Sequence, residues 1–241
     1  MTTADSVGPG ARVRIWAAEH AASTGQPVSV AVLCETAMDR LGVSGVTVTV
    51  EAPPGWPETR YATDQLGARL AELQITVGEG PCLDVWREGG PVLVPILDAP
   101  AIQRRWPLFG PLAVEAGAGA LFALPMAIGT IRVGVLALHR TRPGHLAADS
   151  ITDSLAFAEL ALRLQLDRHA GAHPTADADL RLHAPEVHQA TGMIAAQLDV
   201  SLEQAFVRLR ARAFADQQPL AELAADVVAR RQRFDPAGEA S

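Results

Sequence analysis

Apolar residues recur at helical spacing through the C-terminal part of the chain and in strand-like runs through its middle. Between residues 180 and 234 three stripes stand out: Val187, Ala190, Ile194 and Leu198; then Leu202, Ala205, Phe206, Leu209 and Ala213; then Leu220, Leu223, Ala224, Val227 and Val228. Spacings of three and four put each set on one helix face. The breaks between them are chemically marked. Ser201 followed by Gln204 has the pattern of a capping box, which makes Asp199-Val200 a tight connection. Pro219 stands where a first helical residue tolerates proline, so the second connection ends at Gln217-Gln218. Three short helices on tight connections bury their stripes only against one another, which predicts a three-helix bundle.

The preceding part reads differently. Residues 1–10 are expected to be disordered. Helices are predicted over 11–22 and 28–41, the second with Val28, Val32, Leu33 and Ala37 on one face and Gly42 as C-cap. The β-branched run 45–50 predicts a strand, Pro53-Pro54-Gly55 a turn, 59–63 a second strand and 64–74 a helix. A glycine-rich segment, Gly78 to Gly80, leads to a short helix over 82–88. Val92–Val94 is a strand, 99–116 is mixed helical around Trp106 and Phe109, and 119–127 with 131–138 form a hairpin turning near Gly129-Thr130. In the long helix predicted over 146–169, Ile151, Leu155, Ala158, Leu162 and Gln165 follow heptad spacing. That spacing suits a two-helix seam with Gln165 setting register, or packing on the preceding sheet. The fold expected is α+β. A first domain over 11–168 has an antiparallel sheet flanked by helices and ends in the long connecting helix. An Ala/Gly/Pro/Asp-rich linker spans 169–180, and the bundle spans 181–235.

Charge and cysteines narrow the classes. The 20 basic residues are all arginine, against 27 acids, for a formal net charge of −7. The balance is uneven: residues 208–233 hold six arginines and three acids, a local basic patch of modest size. The two cysteines, Cys34 and Cys82, form no CxxC pair, which argues against a disulfide framework or zinc site and fits a reduced, cytoplasmic protein. The N-terminal residues lack the apolar core of a signal peptide. The longest uncharged run, between Glu115 and Arg132, is punctuated by glycines and Pro125 and reads as strands, so no membrane association is expected.

Residues Gln189 to Met193, Glu203 to Phe206, Leu209-Arg210, Ala213, Leu220, Leu223-Ala224 and Val227-Val228, in that order and spacing, resemble the ANTAR domain, the RNA-binding module of bacterial transcription antiterminators. Many members have lysine where this chain has Thr191. Upstream, Gly78-Glu79-Gly80-Pro81-Cys82, the strand Val92 to Ile96, Leu124-Pro125 and Gly134-Val135-Leu136 resemble GAF domains fused ahead of ANTAR modules, an actinobacterial type of regulator. The resemblance implies a central antiparallel sheet with a ligand pocket on one face, and a partner in paired stem-loops of nascent transcripts. The candidate RNA-binding residues are Gln189, Thr191, Gly192, Arg208, Arg210 and Arg212, expected on exposed faces of the first two bundle helices with Thr191 and Arg210 central.

Candidate chemistry is sparse. Cys82 follows Gly-Pro near a predicted helix N-terminus, a placement that lowers a thiol pKa, but no positioned base accompanies it. Cys82, Trp86 and Phe122 are instead candidate linings of a small-molecule pocket. His169 and His173 have metal-ligand spacing, with His183 and His188 further on, but Gly171 and Pro174 break that helix, and solvated linker histidines fit better. No glycine run is followed by the GK[ST] of a phosphate loop. The reading is a non-enzymatic regulator that binds stem-loop RNA, forms a homodimer and takes an unidentified small ligand; no cofactor is named by any motif. The alternatives are a DNA-binding regulator, opposed by Glu222 and Asp226 on the third helix, and a protein-interaction module.

Overall fold

The computed structural model describes residues 7–52, 56–129, 131–169 and 185–235. The chain divides into two compact units, the second made of the region after residue 182 together with Ile75–Gly78.

The first unit is built on five strands: β1 (Gly45–Ala52), β2 (Trp56–Ala62), β3 (Val92–Val94), β4 (Ala120–Ile128) and β5 (Ile131–Arg140). They form one antiparallel sheet in the order β2-β1-β5-β4-β3. Alternation sorts the side chains. Val46 opposes Leu138, which opposes Phe122; Val48 opposes Leu136, which opposes Leu124. These residues share one face and form the core with α1 (Pro9–Thr24), α2 (Val30–Leu41) and α7 (Ala148–His169). The intervening residues Thr47, Thr49, Leu121, Ala137 and His139 face the other way, toward α3 (Gln65–Val77) and α4 (Pro81–Glu88). Helices α5 (Pro100–Arg105) and α6 (Phe109–Glu115) connect β3 to β4.

Helix ends follow local chemistry. The Ser29 hydroxyl accepts from Val32 N–H to start α2, and Gly42 ends it in the left-handed region at φ 60°. Val28, expected on the α2 stripe, precedes the cap and is exposed. Arg12 on α1 donates to Asp153 on α7 at 2.5 Å, and Trp16 stacks on Phe157 at 6.3 Å.

Of the two contacts that the spacing of α7 allows, packing within its own unit is the one seen. The heptad seam on α7 is only partly free: Ala158 and Leu162 are buried in the unit's own core, Gln165 is buried as well, and Leu155 is accessible. The same 3–4 spacing serves a sheet-facing stripe and a coiled-coil seam, and the antiparallel sheet with α1 and α2 takes it. What α7 leaves exposed is the edge of that seam at Leu155, continued by Leu166, each 40% accessible, with Glu159 ion-paired to Arg163 between them.

The second unit holds α8 (Pro185–Leu198), α9 (Leu202–Ala215) and α10 (Leu220–Val228), each packed on the other two. Ala190, Ile194, Ala205, Phe206, Leu209, Ala213, Leu220, Leu223, Ala224 and Val227 make its core. The Ser201 hydroxyl accepts from Gln204 N–H at 3.2 Å, a cap worth about 1 kcal/mol. Asp199 and Gln217 turn the two connections at positive φ, 52° and 53°. Pro219 is the N-cap of α10 rather than its first residue, and Leu202, expected in the α9 stripe, is exposed. The linker predicted over 169–180 lies outside the described residues except for His169, the last residue of α7; the disorder expected of residues 1–10 lies outside them as far as residue 6, and Pro9 already opens α1.

Candidate functional site

Two places in the molecule concentrate chemistry, one in each unit. In the first, the face of the sheet opposite the main core meets α3 and α4 around a cavity of about 10 Å3, the size of one water molecule. Its walls include Thr47, Thr49, Gln74, Cys82, Leu121 and His139. Gly45, opposite His139 in the register, and Gly67 on α3 leave room for the imidazole; a Cβ at Gly45 would collide with it. Asp64 accepts from Gly67 N–H at 2.8 Å and lies 3.2 Å from His139 Nε2. Burial lowers the His139 pKa, and the Asp64 carboxylate pulls the other way.

Cys82 sits at the start of α4, where the helix terminus alone would favour a thiolate. Burial wins: it pushes the thiol up to about 12, although the Gln74 side chain opposes it. Gln74 clamps this residue twice, accepting from Cys82 N–H at 2.7 Å and donating to Sγ at 3.3 Å. The preceding Gly80, at φ 135°, passes so close to Gln74 that a Cβ there would clash. A protonated, clamped thiol is a packing group. Of the three candidate pocket residues, Cys82 alone lines this cavity. Phe122 belongs to the other face, because neighbouring residues on β4 point to opposite sides and Leu121 takes the cavity side. Trp86 is half-buried on α4, its carbonyl accepting from Arg132. The polar partners Gln74, Asp64 and His139 were not singled out in sequence; only the pairing register brings them together.

A larger cleft of about 420 Å3 lies between α1 and α2, lined by Trp16, Glu19, His20, Thr36, Asp39 and Arg40. It is open to solvent; Arg40 pairs with Glu19 at 3.2 Å, and His20 Nε2 lies 3.3 Å from Glu35 outside the lining. Among the described residues no group of three or more His, Cys, Asp or Glu is arranged to hold a metal. No helix among them is long and apolar enough to cross a membrane.

In the second unit the candidate residues separate by exposure. Gln189 is exposed on α8 opposite the buried stripe, and the half-buried Gly192 has open space beside it. Arg208 is exposed on α9. Arg212, one turn on, donates to Asp216 at 2.5 Å. Arg210 is half-buried, its guanidinium 5.2 Å over the Phe206 ring. Thr191 does not lie on an exposed face. It is fully buried, its hydroxyl donating to the Val187 carbonyl at 2.7 Å. Val187, Thr191, Ile194 and Leu198 are spaced four, three and four, so Thr191 is part of the packing stripe and its hydroxyl is satisfied within the helix.

Comparison with known proteins places both units. The first has the GAF fold: the chain is similar to the GAF domain of a phosphoenolpyruvate-protein phosphotransferase from Acinetobacter, with a TM-score of 0.50 and 10% identity over 66% of this chain and 96% of that one. A GAF domain of a phosphoenolpyruvate-protein phosphotransferase from Coxiella burnetii aligns at TM-score 0.49 and 13% identity, over 68% and 99%. At these identities the likeness is one of fold. No curated protein matches the chain. The chain carries an ANTAR domain at residues 182–228, a stretch that takes in all of α8, α9 and α10. ANTAR domains are RNA-binding antiterminator modules.

Proposed function

We propose that the chain is a signal-responsive RNA-binding regulator, a transcription antiterminator that grips stem-loop RNA through its ANTAR bundle. The observation that carries this is the ANTAR match over 182–228, joined to a bundle whose helices turn Gln189 and Arg208 outward from their buried stripes. Stem-loops offer splayed bases and phosphates, which amide and guanidinium groups contact directly. Gln189, Gly192 and Arg208 form the readiest contact set. Arg210 and Arg212 join once RNA phosphates compete for them, and Thr191 supports the set from inside.

The GAF unit supplies the signal response. A ligand larger than water has to expand the cavity beside Gln74, Cys82 and His139, so occupancy would move α3 or α4 against the sheet. A homodimer suits paired stem-loops and would use the exposed α7 face around Leu155 and Leu166. The DNA-binding reading is weaker, because Asp226 and Glu222 put acid on α10, where a recognition helix needs cations.

The test is to crosslink the full-length protein to nucleic acid in cells and sequence what is bound. Enrichment of stem-loops that overlap terminators is the expected outcome. Recovery of DNA in preference to RNA, or of no nucleic acid above background, would overturn the reading.

A further inference from the structure

Helix α9 carries a second stripe that its packing does not use. Ala205, Phe206, Leu209 and Ala213 face the bundle core. Val207, Ala211 and Phe214, spaced four and three, lie on the opposite side and are all exposed, Val207 at 48% and Phe214 at 42%. Each of the first two is followed in sequence by an arginine, Arg208 after Val207 and Arg212 after Ala211. One residue is a rotation of about 100° on a helix, so a row of cations runs alongside the apolar row. Arg208 makes no ion pair among the described residues, and Arg212 is held by Asp216.

We infer that Phe214 is a stacking platform for an unpaired base of the bound RNA, with the Arg208–Arg212 row beside it taking the adjoining phosphates. This deepens the RNA-binding reading above and rests on it. A nucleotide presents an apolar flat base and an anionic phosphate side by side, and single-stranded RNA is held by aromatic faces next to cations. Phe214 is the aromatic residue that α9 leaves exposed; Phe206 is buried and covered by Arg210. A second copy of the chain fits this stripe less well. In an antiparallel two-fold pair of α9 helices, the Arg208–Arg212 row would face its own copy, like charge against like.

The experiment uses the full-length chain and an RNA hairpin with a loop of unpaired adenines, alongside the same hairpin with abasic loop sugars. Phe214→Ala, Phe214→Leu and Phe214→Trp are compared with the parent after thermal melts establish that each is folded. Phe214→Ala and Phe214→Leu should weaken binding to the adenine loop about tenfold, while Phe214→Trp keeps it. On the abasic loop all four proteins should bind alike. The salt dependence of Phe214→Ala should match the parent, since no phosphate contact is lost. Parent-like affinity of Phe214→Ala and Phe214→Leu for the adenine loop would overturn the platform while leaving RNA binding intact. So would an equal loss on both hairpins, or a change only in oligomeric state by light scattering, which assigns the stripe to a second copy. If the parent binds neither hairpin, the RNA reading itself fails and the platform with it.

Discussion

The Thr191 hydroxyl donates to the carbonyl of Val187, one turn back on α8, at 2.7 Å, and the whole residue is sealed from solvent. A long cation at this position has to displace packed neighbours or carry its charge out along the helix. Thr191→Lys is therefore expected to lower unfolding stability by about 1–3 kcal/mol. Denaturant titration of the full chain measures it. A gain in both stability and RNA affinity would mean that the side chain faces solvent.

The exposed and buried faces of α7 make opposite predictions for the same substitution. Leu155→Glu with Leu166→Glu alters exposed positions and should leave the thermal transition in place while converting any dimer to monomer by light scattering. Leu162→Glu puts a carboxylate into the core and should cost about 3 kcal/mol or more, unfolding the domain before dimerisation can be assessed.

Arg208 is the arginine on α9 with neither a ring beneath it nor a carboxylate beside it among the described residues. Arg208→Ala should weaken RNA binding across sequences and shallow the salt dependence by about one unit of slope. Arg210→Ala should instead lower the melting temperature, since Arg210 lies over Phe206. An unchanged slope for Arg208→Ala would remove this residue from the contact set.

His139 gives the acid limb of stability a specific owner. Its folded-state pKa lies below the ordinary 6.5 because burial disfavours the imidazolium more than Asp64 favours it. As pH falls below 6.5 the unfolded chain takes up a proton that the folded chain resists, so this contribution is lost progressively in that direction. Melting temperature should fall between about pH 7 and about pH 5 by more in the parent than in His139→Gln. Parallel curves would show that the imidazole is not the group responsible.

Both cysteines are buried, and the Cys82 thiol is pushed up to about 12. The native protein should leave a thiol reagent essentially unreacted at neutral pH and titrate two thiols only after denaturation. Fast modification of one thiol in the native state would expose a more open α4.

Much of this architecture was legible because local chemistry agreed with the tertiary result. Ser29, Gly42 and Ser201 mark helix ends in sequence and cap the same helices in the structure. The 131–138 apolar run became the central strand β5. The rest was less legible. A stripe at 3–4 spacing states that a face will be covered but not by what, so the α7 stripe left a second helix and the sheet both open. Thr191 was expected outside its stripe, at the position where the ANTAR resemblance has a lysine, yet a threonine that returns its hydrogen bond to the preceding turn packs like valine. The cavity walls at Gln74 and His139 come from α3 and β5, and nothing local joins residues so far apart.

The pairing of α1 with α7 sets the order in which the first unit can be completed. Val13 and Ala17 share a core with Phe157 and Ala161, and Arg12 finds its carboxylate on Asp153. On a ribosome, α1 emerges long before its partner α7. At ordinary rates of translation it waits roughly ten seconds with that surface uncovered. The sheet face in front of it is likewise unfinished until β5, the strand between β1 and β4, has been made. Until α7 has been made, the surface that α1 turns toward it has no partner, so the unit can close only late in synthesis.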